Sequence, residues 1–374
     1  MLILILAMAV SIGATLLIIR SARAHGHLSA DHDFSGPQKF HVKAVPRIGG
    51  LGIVVGLISA AIFLSFNDAP AARMAGLLLI CGLPAFAAGL VEDLTKRVSP
   101  KIRLVAVAAS ALLAILLLDA AVTRTGIPGL DTLLTWPAAA ALLTVFGVVG
   151  FANSINIIDG FNGLASMCVV IMLGAICYVA FQSDDLLIAT LALAGIGAVL
   201  GFFMWNFPAG LIFLGDGGAY FLGFFVAEIS ILLLARNSDD VSPLFPLLVC
   251  IYPVFETLFS IYRRRFLRAV PPTMPDGIHL HSLIYRRMIR WAVGNQSAKA
   301  LTRRNSLTSP YLWCLCMLSV VPAVLFWDNT AMLAVFLLLF AFVYVALYWR
   351  IVRFRAPRWL ILPGNTRPDP RNDL

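Results

Sequence analysis

Charge is what this chain has least of. Of its 374 residues, 13% are Asp, Glu, Lys or Arg against 60% hydrophobic, and the mean hydropathy is +0.90. Soluble domains carry about 25% charged residues, so the composition excludes a soluble globular protein and specifies an integral membrane one. Basic residues are also missing from the first segment. Met1–Ile19 has no positive n-region, and Arg20 and Arg23 come after it. That order argues against a cleaved secretory leader and for a retained first helix that begins outside the cell. Cysteine is sparse as well. All six (Cys81, Cys168, Cys177, Cys250, Cys314, Cys316) fall in apolar runs, with neither a disulfide framework nor the spacing of a metal site. There is no internal repeat of the kind that marks many secondary transporters, and no soluble domain of useful size.

What the chain does have is apolar runs long enough to span a bilayer. They lie at about 2–19, 48–66, 74–91, 104–120, 136–152, 164–181, 186–205, 211–235, 244–262, 311–327 and 331–349. The expectation is an all-α polytopic membrane protein of eleven transmembrane helices forming a single domain over 1–374, with the run at 136–152 the least defined. The connections alternate in charge. Segments 20–47, 93–103, 263–310 and the tail 350–374 hold five, four, ten and six Lys or Arg, so 25 of the 28 basic residues fall on one side. The positive-inside rule makes that side cytoplasmic, which puts the N-terminus outside and the C-terminus inside. The net charge of +9 is then topology and contact with anionic lipids, not nucleic-acid binding. The large loop 263–310 has room for an interfacial helix around Leu283–Trp291.

The unusual polar residues collect on that cytoplasmic side. In the stretch from Trp205 to Phe225, Asp216 sits among glycines in a segment otherwise apolar apart from Asn206. A charge at membrane depth costs about 2.5–3.5 kcal/mol, so Asp216 needs a partner. A carboxylate among glycines at a helix end suits a hydrated Mg²⁺ carrying substrate phosphates. Lys43 and Arg47 flank Pro46 ahead of Gly49 and Gly50, cations beside flexible backbone at a helix start, which suits phosphate and equally suits a topology signal. Glu92 and Asp93 lie at the unfavourable pole of a helix dipole. Lys96 and Arg97 offer them ordinary ion pairs, and a role as general base at a phosphate–metal centre is the other reading. The run Asn153-Ser-Ile-Asn156-Ile-Ile-Asp159-Gly160-Phe-Asn162-Gly163 is too polar for lipid. Asn156 and Asp159 share a helix face, and amides with a carboxylate can read a base and ribose hydroxyls. Finally, His279 and His281 alternate, so on extended backbone they face the same way. They can touch a diphosphate or zinc, but no further Cys or His stands near them to make a structural zinc site.

Taken in order on one face, these stretches resemble the polyprenyl-phosphate N-acetylhexosamine-1-phosphate transferases, the WecA/TagO-like branch of glycosyltransferase family 4, related to the MraY-like enzymes. The resemblance runs from about residue 37 to 290. It is carried by Pro46–Gly50, the acid pair in Gly89–Leu94, the Asn-rich Asn153–Ala165, the Gly-Asp-x-Gly segment in Asn206–Gly223, and the histidine loop Asp276–Leu283. The chain departs from the family pattern at three places: Glu92 for the first Asp of the pair, Asn162 for an Asp, and Ser282 where a further histidine often sits. The last favours the WecA-like branch over the muramoyl-pentapeptide branch.

The resemblance implies transfer of a sugar 1-phosphate from a UDP-N-acetylhexosamine, or a deoxy derivative, to undecaprenyl phosphate in the bacterial inner membrane. UMP is released and a surface polysaccharide such as O-antigen is started. The N-terminus would be periplasmic. Asp216 would hold Mg²⁺ (or Mn²⁺), Glu92 or Asp93 would deprotonate or orient the lipid phosphate, and Asp159 would join them as a catalytic residue that, with Asn153 and Asn156, holds the uridine side. Lys43, Asn153, Asn156, Asn206, His279 and His281 would bind substrate. A homodimer is left open, as are direct attack and a route through an acyl-phosphate on Asp93. A secondary transporter and a non-catalytic homologue are the readings from other classes. Metal-dependent UMP release separates all three.

Overall fold

The computed structural model describes residues 1–22, 45–267, 279–289 and 298–353. The long elements follow the apolar runs: α1 (Leu2–Arg20), α2 (Gly50–Asn67), α3 (Ala69–Thr95), α4 (Pro100–Leu118), a short α5 (Pro128–Leu134), α6 (Pro137–Ile158), α7 (Leu164–Gln182), α8 (Leu186–Asn206) and α9 (Gly215–Arg236). After them come α10 (Leu244–Val249), α11 (Ile251–Tyr262), α12 (Leu280–Ile284), α13 (Ala298–Leu325) and α14 (Thr330–Val352). Their starts are written in the sequence. Asp68 and Asp185 accept from backbone N–H groups to cap α3 and α8 at 3.0 and 3.2 Å, and proline opens α4 and α6 in the first turn, where its missing N–H costs nothing.

Among the described residues, ten helices are long and apolar enough to cross a membrane, one fewer than the eleven expected. The run at 136–152, which looked least secure, is the full helix α6. The run that fails is 244–262, which breaks at Cys250 into six- and twelve-residue helices. Pro253 is the cause: it has no N–H to offer the carbonyl of Val249, and its ring clashes with that carbonyl, so the first helix stops there. Pro84 stands inside α3 without ending it, and the Ala85 N–H beside it donates to Ser110 Oγ of α4 at 3.0 Å.

The bundle is organised around α9, which is buried at every residue from Gly215 to Leu233. Helices α2, α3 and α6 meet it at backbone contact. A Cβ on Gly50 would lie 2.4 Å from Gly218 Cα, one on Gly89 2.4 Å from Gly217 N, and one on Gly223 2.4 Å from Ala152 Cα. Small residues are what let membrane helices come this close. On the far side, α1 lies along α8, fixed by Ser11 Oγ donating to Ala198 O at 2.7 Å and Trp205 Nε1 to Ile12 O at 3.1 Å. The ends of α3, α6, α8 and α11 and the starts of α2, α4 and α9 all fall at one end of the bundle, and the cavity opens there. Glu228, buried farther along α9, has no hydrogen-bond partner among the described residues.

Candidate active site

Everything at this end starts from how α9 begins. Backbone pairing holds the incoming chain: Phe213 N–H donates to Pro46 O, and Gly49 and Gly50 N–H donate to Phe213 O and Leu214 O, at 2.8–3.0 Å. Gly215 then turns with φ +78°, and a Cβ there would strike Arg47 O and Asp93 Oδ2. The free N–H groups of the first turn are met by a side chain from another helix. Asp93 of α3, 1% exposed, accepts from Asp216 N–H and Gly217 N–H, each at 2.9 Å. A bidentate carboxylate satisfies two orphan donors and complements the positive helix pole.

That cap aims the Asp216 side chain into a cavity of about 320 Å³. Its Oδ1 accepts from Asn156 Nδ2 at 3.0 Å and lies 3.6 Å from Arg47 Nη2. Its Oδ2 is paired with Arg103 of α4, whose guanidinium lies over the Tyr220 ring. Tyr220 OH in turn donates to Asn153 Oδ1 at 3.4 Å. Arg47 also stands 3.9 Å from Asp93, so one guanidinium serves both acids. Among the described residues no group of three or more His, Cys, Asp and Glu could enclose a metal. Oxygen donors from Asp216 and Asn156 do fit a hard cation that keeps waters and completes its shell with substrate phosphates, as Mg²⁺ does.

Away from this charged pole the lining is amide. Asn206, at the end of α8, accepts from Gly163 N–H at 2.6 Å and donates to Ile212 O at 2.7 Å, which locks the 160–163 turn to the loop before α9. Asn162 donates through Nδ2 to Pro208 O at 3.3 Å and Ser306 Oγ at 3.2 Å, and its own N–H goes to Asn305 Oδ1 of α13 at 2.8 Å. Asp159 is half-buried on the cavity wall. Loss of water lifts its carboxyl well above the ordinary carboxylate range; Arg47 opposes the shift and Asp93 adds to it. A third wall carries the histidines. Glu256 of α11 accepts from Leu280 N–H at 2.9 Å and from Tyr344 OH at 2.7 Å, and meets His279 Nδ1 at 3.1 Å. The His279 and His281 rings stack 5.1 Å apart.

Of the residues predicted from sequence, Asn156, Asp159, Asn206, Asp216, His279 and His281 line this one cavity. Asn153 stands behind it on Tyr220, and Asp93 lies under the start of α9. Glu92 is not brought to it: its Oε2 accepts from Val98 N–H at 2.7 Å in the α3–α4 turn. Lys43 and residues 268–278 lie outside the described residues, as do Arg290 and Trp291 of the helix expected around Leu283–Trp291, whose described part, 283–289, falls in α12 and the π-helical turn Tyr285–Ile289. Sequence reasoning missed Arg103, Glu256 and Asn305. Glu256 carried a signal, a carboxylate in an apolar run. Arg103 and Asn305 carried no such signal, lying within the polar connections 93–103 and 263–310.

The glycosyl transferase family 4 profile matches residues 75–234, from α3 through nearly all of α9. The chain is 32% identical over 244 residues to a probable undecaprenyl-phosphate N-acetylglucosaminyl 1-phosphate transferase of Bacillus subtilis (strain 168). That match covers 65% of this chain and 66% of the relative, just under two thirds of the relative's length. An undecaprenyl-phosphate alpha-N-acetylglucosaminyl 1-phosphate transferase of Thermotoga maritima is 28% identical, over 68% of this chain and 72% of that protein. A phospho-N-acetylmuramoyl-pentapeptide-transferase of Streptococcus thermophilus shares 46% over 92 residues, 25% of this chain and 27% of that one. The profile takes in Asp93, the Asn-rich turn and Asp216, the residues around which the cavity is built. The chain belongs to glycosyl transferase family 4.

Proposed function

We propose that this protein transfers an N-acetylhexosamine 1-phosphate from a UDP-sugar to undecaprenyl phosphate, releasing UMP and starting a cell-surface polysaccharide. The transfer takes place at the cytoplasmic face of the bacterial inner membrane. The observation that carries the reading is Asp216, fixed on the first turn of α9 with an amide and two guanidinium groups around its carboxylate, in a cavity at the basic end of the bundle. Two anionic substrates meeting there need exactly such a cationic setting. Relatives whose printed names specify N-acetylglucosaminyl 1-phosphate transfer align over about two thirds of the chain, and muramoyl-pentapeptide relatives over a quarter to about half, which favours the former substrate class.

In the reaction a lipid-phosphate oxygen attacks the sugar-linked phosphorus. The bond from that phosphorus to the bridging oxygen breaks, and UMP leaves with the electron pair. Mg²⁺ (or Mn²⁺), held by Asp216 and Asn156, would neutralise charge on the diphosphate. Arg47 and Arg103 hold Asp216 in place and add positive charge near the transferred group. Asp159 lines the cavity, as Glu92 and Asp93 do not, and takes the proton of a monoprotonated lipid phosphate. Asp93 positions the start of α9. The histidine wall, braced by Glu256, contacts the sugar phosphate. Membranes holding the protein, given labelled UDP-N-acetylhexosamines, undecaprenyl phosphate and Mg²⁺, should yield labelled lipid and UMP, with both lost on adding EDTA. Folded protein that yields no lipid product from any such donor would overturn the proposal.

A further inference from the structure

Asn305 is the residue at the cavity that the motifs do not account for. It sits on α13, outside the stretch matched by the family profile, is 5% exposed and lines the cavity. Its Oδ1 accepts the Asn162 N–H at 2.8 Å. This fixes which end of the amide is which, because a backbone N–H can only donate. The Nδ2 then points away from that bond and makes no hydrogen bond among the described residues. An amide that spends its acceptor on the scaffold and keeps its donor open to a ligand cavity is placed to meet a ligand carbonyl.

The surroundings say which carbonyl. Asp216 is held by Asn156, Arg47 and Arg103, and Asn305 by Asn162, which is in turn tied to Ser306 and Pro208. The two sets have no member in common, so the cavity has a charged pole and an amide pole. A nucleotide that places its diphosphate at the charged pole turns its base toward the amide pole. The ring carbon opposite the glycosidic nitrogen of a pyrimidine is C4, so the C4 substituent leads. On the reading that this cavity takes a UDP-sugar, we propose that Asn305 Nδ2 donates to the uracil O4 and sets the choice of uracil over cytosine. Cytosine presents an amino group at that place, donor against donor, and a site built to hydrogen-bond one group rejects an analogue that cannot answer it.

Asn305→Asp tests this directly, because a carboxylate oxygen still accepts the Asn162 N–H while the donor becomes an acceptor. Binding of UDP and CDP to the detergent-purified full chain would be measured by calorimetry in Mg²⁺. The wild type should prefer UDP. In the variant UDP should weaken at least about tenfold and the UDP-to-CDP ratio should fall about a hundredfold, since cytosine now finds an acceptor. Asn305→Ala should lose UDP affinity without gaining CDP. The ratio is taken on one preparation, so partial unfolding does not move it. A wild-type preference that survives unchanged in Asn305→Asp overturns the assignment while leaving the transferase reading intact. A folded wild type that binds neither nucleotide overturns the transferase reading and this inference with it.

Discussion

Two adjacent carboxylates show how much a single residue's direction decides. Glu92 and Asp93 are neighbours, so on a helix their side chains diverge by about 100°. The sequence marks both as acids at a helix end and says nothing about which faces α9. In the structure Glu92 ties off the α3–α4 turn and Asp93 caps the start of α9. Asp93→Ala should therefore lower stability by about 1–2 kcal/mol, the usual loss for a helix cap, and weaken Mg²⁺-dependent nucleotide binding because Asp216 loses its footing. Asp93→Asn, which keeps one acceptor, should recover part of both. Thermal midpoints and UDP affinity read this, and wild-type UDP binding in a stable Asp93→Ala protein would contradict it. Asp216→Asn should act differently: transfer falls about 10²–10³-fold with the midpoint little changed, and lipid product at the wild-type rate would remove Asp216 from the metal. Asn162 shows the same limit of sequence reading. Its departure from the family pattern is visible in the sequence, but the use of its amide is not, because Pro208 and Ser306, which it donates to, are 46 and 144 positions away.

At the scale of elements, the long helices were legible because an uninterrupted apolar run has no alternative in a bilayer. The break at Cys250 was not seen because hydropathy averages over Pro246 and Pro253. The close packing around α9 was not seen either, since glycines in a membrane helix do not declare which partner they face. Helix α3 holds a controlled pair. A Cβ on Gly89 would press into the Gly217 backbone at 2.4 Å, whereas one on Gly76 would meet nothing within 4 Å. Gly89→Ala should destabilise by about 1–3 kcal/mol, the cost of overpacking against backbone that cannot yield, and should lower transfer by displacing α9. Gly76→Ala should be neutral or gain up to about 1 kcal/mol from helix propensity. Midpoints of the two purified variants, side by side, check the assignment. Equal midpoints would mean that α3 and α9 are not in backbone contact.

For the whole molecule, two independent observations point to one side of the membrane. The cavity lies at the end of the bundle where α3, α6 and α8 finish and α4 and α9 begin, and Arg47, Lys96, Arg97, Lys101 and Arg103 are gathered at that end. The opposite end, by contrast, carries Arg73, Arg124 and Arg236. On the proposed reading, retention of basic loops on the cytoplasmic side would orient the bundle, and a nucleotide sugar made in the cytoplasm would reach the cavity without crossing the bilayer. Asn67, the last residue of α2, and Lys101, at the start of α4, are both exposed and sit at opposite ends. In a background with Cys314→Ala, which removes the exposed thiol, Asn67→Cys should react with a membrane-impermeant maleimide in intact spheroplasts. Lys101→Cys should react only after the membrane is opened. The reverse pattern would set the cavity, with Asp216 and Asn305 in it, on the side that holds no UDP-sugar, and the proposed transferase could not work as described even with every contact in its site intact.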